Sequence, residues 1–145
     1  MLHLSFIYSY IIPAGNHEAL VVLGRMQYEL IQLDSRMPRY GECWKAALRR
    51  LDQGCKQLDD DMQSRLALGF ANCFLEKAGM RTYPCEETVL LADCLRNVDN
   101  NAFTTYSNFF THTQNMCYFL QSQIWQEETE QTVNRLTASS AQVTK

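Results

Sequence analysis

Residues 103–125 read FTTYSNFFTHTQNMCYFLQSQIW, and this stretch decides the fold. Phe103, Tyr106, Phe110, Thr113, Cys117, Leu120 and Ile124 follow one another at alternating steps of three and four, a heptad-like seam by which one helix lies against others. The polar knot Asp99-Asn100-Asn101 precedes it. Beyond Ile124 polar residues take over and only Trp125, Val133 and Leu136 remain large and apolar, so the helix is expected to leave the core there. The tail TASSAQVTK is small and polar, either frayed or the start of something longer. The aromatics Phe103, Tyr106, Phe109, Phe110, Tyr118, Phe119 and Trp125 admit two uses. Helical spacing assigns part of them to the core, while adjacent pairs cover a wide arc and leave some for a partner.

Working back from that helix, Trp44, Leu48, Leu51, Cys55 and Leu58 step by four, three, four and three, which is one stripe of another. Asp59-Asp60-Asp61 suits the positive N-terminus of the next, whose buried side is Met62, Leu66, Phe70 and Cys73 and which Gly79 ends. Ahead of Pro38, a helix is expected from about Asn16 to Arg36, with Leu20, Leu23, Tyr28, Leu30 and Ile31 as a broad apolar face. The segment MRTYPC, residues 80–85, is a turn, because Pro84 has no backbone donor and biases Tyr83 to an extended conformation. A short helix is predicted from about Glu86 to Asn97. The chain is therefore all-α, a small disulfide-stapled bundle whose long C-terminal helix can begin a coiled coil. It divides into an N-terminal apolar segment and helix (1–42), a cysteine-rich helical domain (43–125), and a polar helix end and tail (126–145).

With 145 residues, 46% of them hydrophobic, there is material for one core. The net charge of -3 comes from 13 basic and 16 acidic residues mixed along the chain, so no basic face points to nucleic acid or anionic lipid. The opening MLHLSFIYSYII is too short to span a bilayer and has no basic residue ahead of it. With Pro13-Ala14-Gly15 as a loose cleavage site, it reads as a poorly made signal peptide.

Cys43, Cys55, Cys73, Cys85, Cys94 and Cys117 are even in number and widely spaced, as in a disulfide framework formed in an oxidising compartment. The alternative is six reduced thiols packed as small hydrophobes. No Asn-x-Ser/Thr sequon is present to decide the compartment. Cys55, Cys73 and Cys117 fall on the apolar stripes of three helices and so bring sulfur to a shared core. A bridge needs α-carbons within about 7 Å, whereas helical residues nine or twelve apart lie about 13 to 18 Å apart. That argues against Cys43 with Cys55 and Cys85 with Cys94, and leaves about ten of the fifteen connectivities open.

Zinc ligands come as close pairs such as C-x2-C, and none is present. His3, His17 and His112 lie far apart, and His112 sits among aromatics as a packed or interfacial residue rather than the base of a thiol enzyme. No nucleotide-binding, hydrolase or metalloprotease motif occurs, and the carboxylates fall in solvated runs. No catalytic residue, metal ligand or cofactor is assigned.

From Cys43 to Leu136 the sequence resembles the cysteine-rich region of the Brambleberry-like nuclear-fusion (karyogamy) proteins, which include yeast and plant gamete-expressed members. Cys43 and Cys55 bracket a helix; ALGFANCFLEKAG holds Cys73, RTYPC holds Cys85 and ADCL holds Cys94. AFTTYSNFFTHTQNMCYFLQSQIWQEETEQTVNRL then carries Cys117 into the long helix. The segment before Cys43 matches no motif of the family. The resemblance implies a lumenal domain in the endoplasmic reticulum and nuclear envelope, followed by a coiled coil and membrane-spanning helices, acting in nuclear membrane fusion at fertilization or early cleavage. This sequence stops where the coiled coil is expected to lengthen, and it carries no membrane anchor. The expected activity is protein contact, with a partner or another copy, through the long helix and Trp125, Val133 and Leu136. A secreted helical ligand or lipid carrier is the alternative, with a cytosolic thiol enzyme or metal protein as a third class.

Overall fold

The computed structural model describes residues 14–143 and contains helices and no strand among them. The expected signal sequence and the last two residues lie outside that range. Five α-helices follow in order: α1 (Ala14–Asp34), α2 (Gly41–Gly54), α3 (Asp60–Lys77), α4 (Leu91–Leu95) and α5 (Asn100–Val143). A short 3-10 turn, Cys55–Gln57, extends α2. The first half of α5 runs through the middle of the bundle, flanked by α1 and α3, with α2 bridging them.

Local chemistry sets the boundaries of α3. The Asp59 carboxylate accepts from the Met62 N–H at 2.7 Å and so caps the helix, while Asp60 and Asp61 sit in its first turn where the dipole favours negative charge. At the other end Gly79 adopts φ +70°, and the Met80 N–H returns to the Leu75 carbonyl at 2.9 Å, a Schellman closure. The extended segment that follows is pinned by Asn72. Its side chain donates to the Tyr83 carbonyl at 3.0 Å and accepts from the Tyr83 N–H at 2.7 Å, so one amide imitates a strand neighbour. The Tyr83 hydroxyl then donates to Asp99 at 3.0 Å, and Asp99 caps α5 by accepting from the Ala102 N–H at 2.8 Å.

Two apolar clusters lie on either side of α3. Trp44, Leu48, Leu51 and Cys55 of α2 and its extension meet Leu66, Phe70 and Cys73 of α3, with Ile31, Met116 and Cys117. On the other side Ala67, Leu68, Ala71 and Leu75 pack with Tyr83, Ala102 and Tyr106. Phe109 touches both clusters, and its ring lies 5.7 Å from Phe70 and 6.1 Å from Trp44, distances at which aromatic pairs attract beyond simple burial.

Of the α1 face expected from Leu20, Leu23, Tyr28, Leu30 and Ile31, only Ile31 and Tyr28 pack. Leu20, Leu23 and Leu30 are exposed; the helix instead rests on Gly24, Ile31 and Ser35, with Tyr28 half-buried. A methyl group on Gly24 would collide with the backbone carbonyl of Asn115, so the missing side chain lets α1 lie directly on α5. Gly24 allows this close approach, and apolar periodicity does not register it.

All six cysteines are bridged: Cys43–Cys73 joins α2 to α3, Cys55–Cys117 joins the end of α2 to α5, and Cys85–Cys94 closes a loop. The last bridge overturns the expectation that Cys85 and Cys94 stand too far apart, since their α-carbons are 5.6 Å from each other. That expectation assumed a helix from about Glu86, whereas α4 spans only Leu91–Leu95. Arg65 provides the reason. Held by Asp61 at 2.9 Å, its guanidinium donates to the carbonyls of Glu86 and Val89 at 3.2 and 2.8 Å. These oxygens are the ones a helix starting at Glu86 would need for its own N–H groups. The segment turns instead, and the turn brings the sulfurs together.

Candidate protein-interaction surface

Every residue of α5 from Gln121 to Ala141 except Ser122 is exposed, and the Gln121 side-chain amide, donating to the Cys55 carbonyl at 3.1 Å, is the side-chain tie at the boundary. From there about 35 Å of helix projects from the bundle, at 1.5 Å per residue. Trp125, Val133 and Leu136 lie on this part and are 66%, 54% and 66% exposed.

At about 100° per residue, Trp125, Thr129, Thr132, Val133 and Leu136 fall within one broad face. It is not a continuation of the seam, for Tyr106, Thr113 and Cys117 lie roughly 80° to 120° around the helix from Trp125. Ile124, the last residue of the expected seam, is 49% exposed, and Phe103, the first, is 55% exposed, so packing runs only from Ala102 to Leu120. Thr129, Thr132 and Thr137 turn their hydroxyls onto the carbonyls of Trp125, Glu128 and Val133 at 2.8, 3.0 and 2.9 Å. Their hydroxyls are thereby occupied and their methyl groups are free to border the apolar face. A shallow groove beside Trp125 is formed with Glu128, Thr129, Thr132 and Val133. An indole flanked by methyl groups and a carboxylate suits contact with another helix bearing an apolar and basic face.

Of the other aromatics singled out in the sequence, Tyr106 and Phe119 are buried, and Phe109, Phe110 and Tyr118 are half-buried. His112 packs its ring 5.6 Å from Phe109, and burial holds it below the ordinary imidazole range. No thiol is present to pair with it, since all six sulfurs are oxidised, the state of a protein from a compartment other than the cytosol. Burial likewise raises both members of the Tyr28–Asp52 pair, whose hydroxyl donates to the carboxylate at 3.3 Å. Among the described residues no helix is long and apolar enough to cross a membrane, and no group of three or more His, Cys, Asp or Glu could hold a metal ion. A second groove, lined by Leu58, Asp59, Asp60, Gln63, Gln114, Cys117, Tyr118 and Gln121, is mostly polar and gives a lipid chain little to bind.

Two curated proteins are similar in sequence. Protein GAMETE EXPRESSED 1 of Arabidopsis thaliana is 28% identical over 116 residues, 78% of this chain and 19% of that protein. Protein brambleberry of Danio rerio is 28% identical over 114 residues, 79% of this chain and 18% of that protein. The chain thus spans about a fifth of the length of each. No family model and no solved structure matches. The resemblance read from the cysteine phrases is borne out by both proteins, and the matched length exceeds the Cys43–Leu136 span on which it was recognised.

Proposed function

We propose that this domain is a non-enzymatic, lumenal protein-interaction module of a nuclear-envelope protein needed for nuclear membrane fusion during karyogamy. The observation that carries the reading is the pairing of a fully oxidised helical domain with similarity to a plant gamete-expressed protein and to brambleberry over nearly four fifths of the chain. Oxidised cysteines fit the lumen of the endoplasmic reticulum and nuclear envelope, which are continuous and support disulfides. The projecting half of α5 fits a role by contact, since it displays Trp125, Val133 and Leu136 on a rod that the bundle holds at one end. The rod would extend into a longer coiled coil and engage a protein partner or another copy, while attachment to the membrane would come from sequence outside these residues.

The test is genetic. Deleting the gene should leave gamete nuclei adjacent but unmerged in the zygote, and restoring the full-length gene with Trp125→Asp and Leu136→Asp should not rescue. Normal nuclear merging in the deletion strain would overturn the reading.

A further inference from the structure

We propose that the outer face of α1 binds α1 of a second copy of this chain, antiparallel, about a two-fold axis close to Met26. Leu20, Val22, Leu23, Met26, Leu30 and Leu33 form this face and are between 41% and 61% exposed, while the opposite side of the same helix packs on α5 through Gly24, Tyr28 and Ile31. A helix wetted along one side ordinarily carries polar residues there, and one that is apolar all round is buried all round. The uncovered surface is on the order of 600 Å², at the top of what a monomer leaves open and close to the roughly 800 Å² per partner of a standard interface.

Charge identifies the occupant and its direction. Between Leu20 and Leu33 the only charged side chains are Arg25 and Glu29, which lie along one border of the stripe and pair with each other at 2.9 Å. Running two α1 helices antiparallel about Met26 sets Arg25 of each copy level with Glu29 of the other, so two charge pairs become a network of four groups. The same register brings Leu23 to Leu30 and Leu20 to Leu33, within about one residue, and opposes the helix dipoles. A parallel pairing would turn the Arg25–Glu29 border toward the opposite border, where Gln27 and Asp34 offer no such match. A two-fold axis requires this kind of self-complementarity. The pairing stands on α1 alone and is independent of the fusion role.

Sedimentation equilibrium of the full oxidised chain, from about 5 to about 500 μM, tests it. A monomer–dimer equilibrium is expected, weakened roughly tenfold or more by Leu30→Asp, with circular dichroism unchanged because Leu30 is exposed. Arg25→Glu should also weaken it, and adding Glu29→Arg should restore it, which decides the matter even where Leu30→Asp fails to fold. A wild-type monomer throughout would overturn the proposal, as would one that floats with phosphatidylcholine vesicles and so assigns the stripe to lipid. A dimer indifferent to Leu30→Asp but lost in Leu136→Asp would overturn it too, by placing the contact on the projecting half of α5.

Discussion

One helix, α5, has two halves that exist for different reasons. From Ala102 to Leu120 it is packed on two sides by α1 and α3, and Met116, Cys117 and Thr113 are essentially inaccessible. From Gln121 to Ser139 neither helix covers it in that way, and every side chain but that of Ser122 is exposed. The first half owes its helicity to tertiary packing, since its β-branched threonines and aromatic pairs are indifferent helix formers. The second owes it to propagation from the first, because about twenty isolated residues make a marginal helix in water. The contrast teaches that the packed half is built for stability, whereas the projecting half adds little to the core and leaves its apolar side chains exposed.

The largest expected effect breaks the packed half. Cys55–Cys117 closes a 62-residue interval, and constraining the unfolded chain over that length is worth roughly 4 kcal/mol, against roughly 2.6 kcal/mol for the separation of 9 from Cys85 to Cys94. Changing Cys55 and Cys117 together to Ala should therefore lower stability by about 4 kcal/mol in urea unfolding, and changing Cys85 and Cys94 together by less. The reverse order would show that the loop held by Arg65, rather than the centre of α5, organises the domain.

A smaller effect concerns where the packed half begins. The Asp99 carboxylate accepts first from the Ala102 N–H and next from the Tyr83 hydroxyl, and both hold its pKa below the ordinary value. In the unfolded chain the group titrates near about 3.9. Its depressed folded pKa therefore adds stability that is complete above that value and lost as the pH falls through the folded pKa. Asn at 99 keeps a cap but carries no charge. Melting curves of wild type and Asp99→Asn, taken from about pH 6 to about pH 2, should lie apart at the upper end and converge at the lower. Parallel curves would mean that the cap works without its charge.

What the sequence revealed follows the same division. Stripes such as Trp44-Leu48-Leu51-Cys55 and Tyr106-Thr113-Cys117 were legible because each is a run of bulky side chains at helical spacing on elements that pack by bulk. The seating of α1 was legible only at Tyr28 and Ile31, because it depends also on the absence of a side chain at Gly24 while the leucines of that helix are exposed. The Cys85–Cys94 bridge was hidden for another reason. Residues 86–97 have helical composition, but Arg65, about twenty positions earlier, donates to the Glu86 and Val89 carbonyls, and the Val89 N–H closes a turn on Glu86. Trp125, Val133 and Leu136 could be picked out as a residue of apolar content past the seam. That they are rotated around α5 away from the seam follows only from placing each at its angle around the axis.

The smallest expected effect sharpens the contrast from the free side. Val133 and Leu136 are 54% and 66% exposed, so replacing both with Asp removes little packing and leaves no buried charge. Substitutions of this kind ordinarily shift stability by no more than about 0.5 kcal/mol. The double variant should therefore melt and unfold in urea as the wild type does, while losing whatever the rod binds. A loss of several kcal/mol would mean that the free half is covered within the folded chain, and the distinction between the two halves of α5 would collapse. An unchanged stability together with lost nuclear merging would instead place the function of the domain on a surface that its fold does not need.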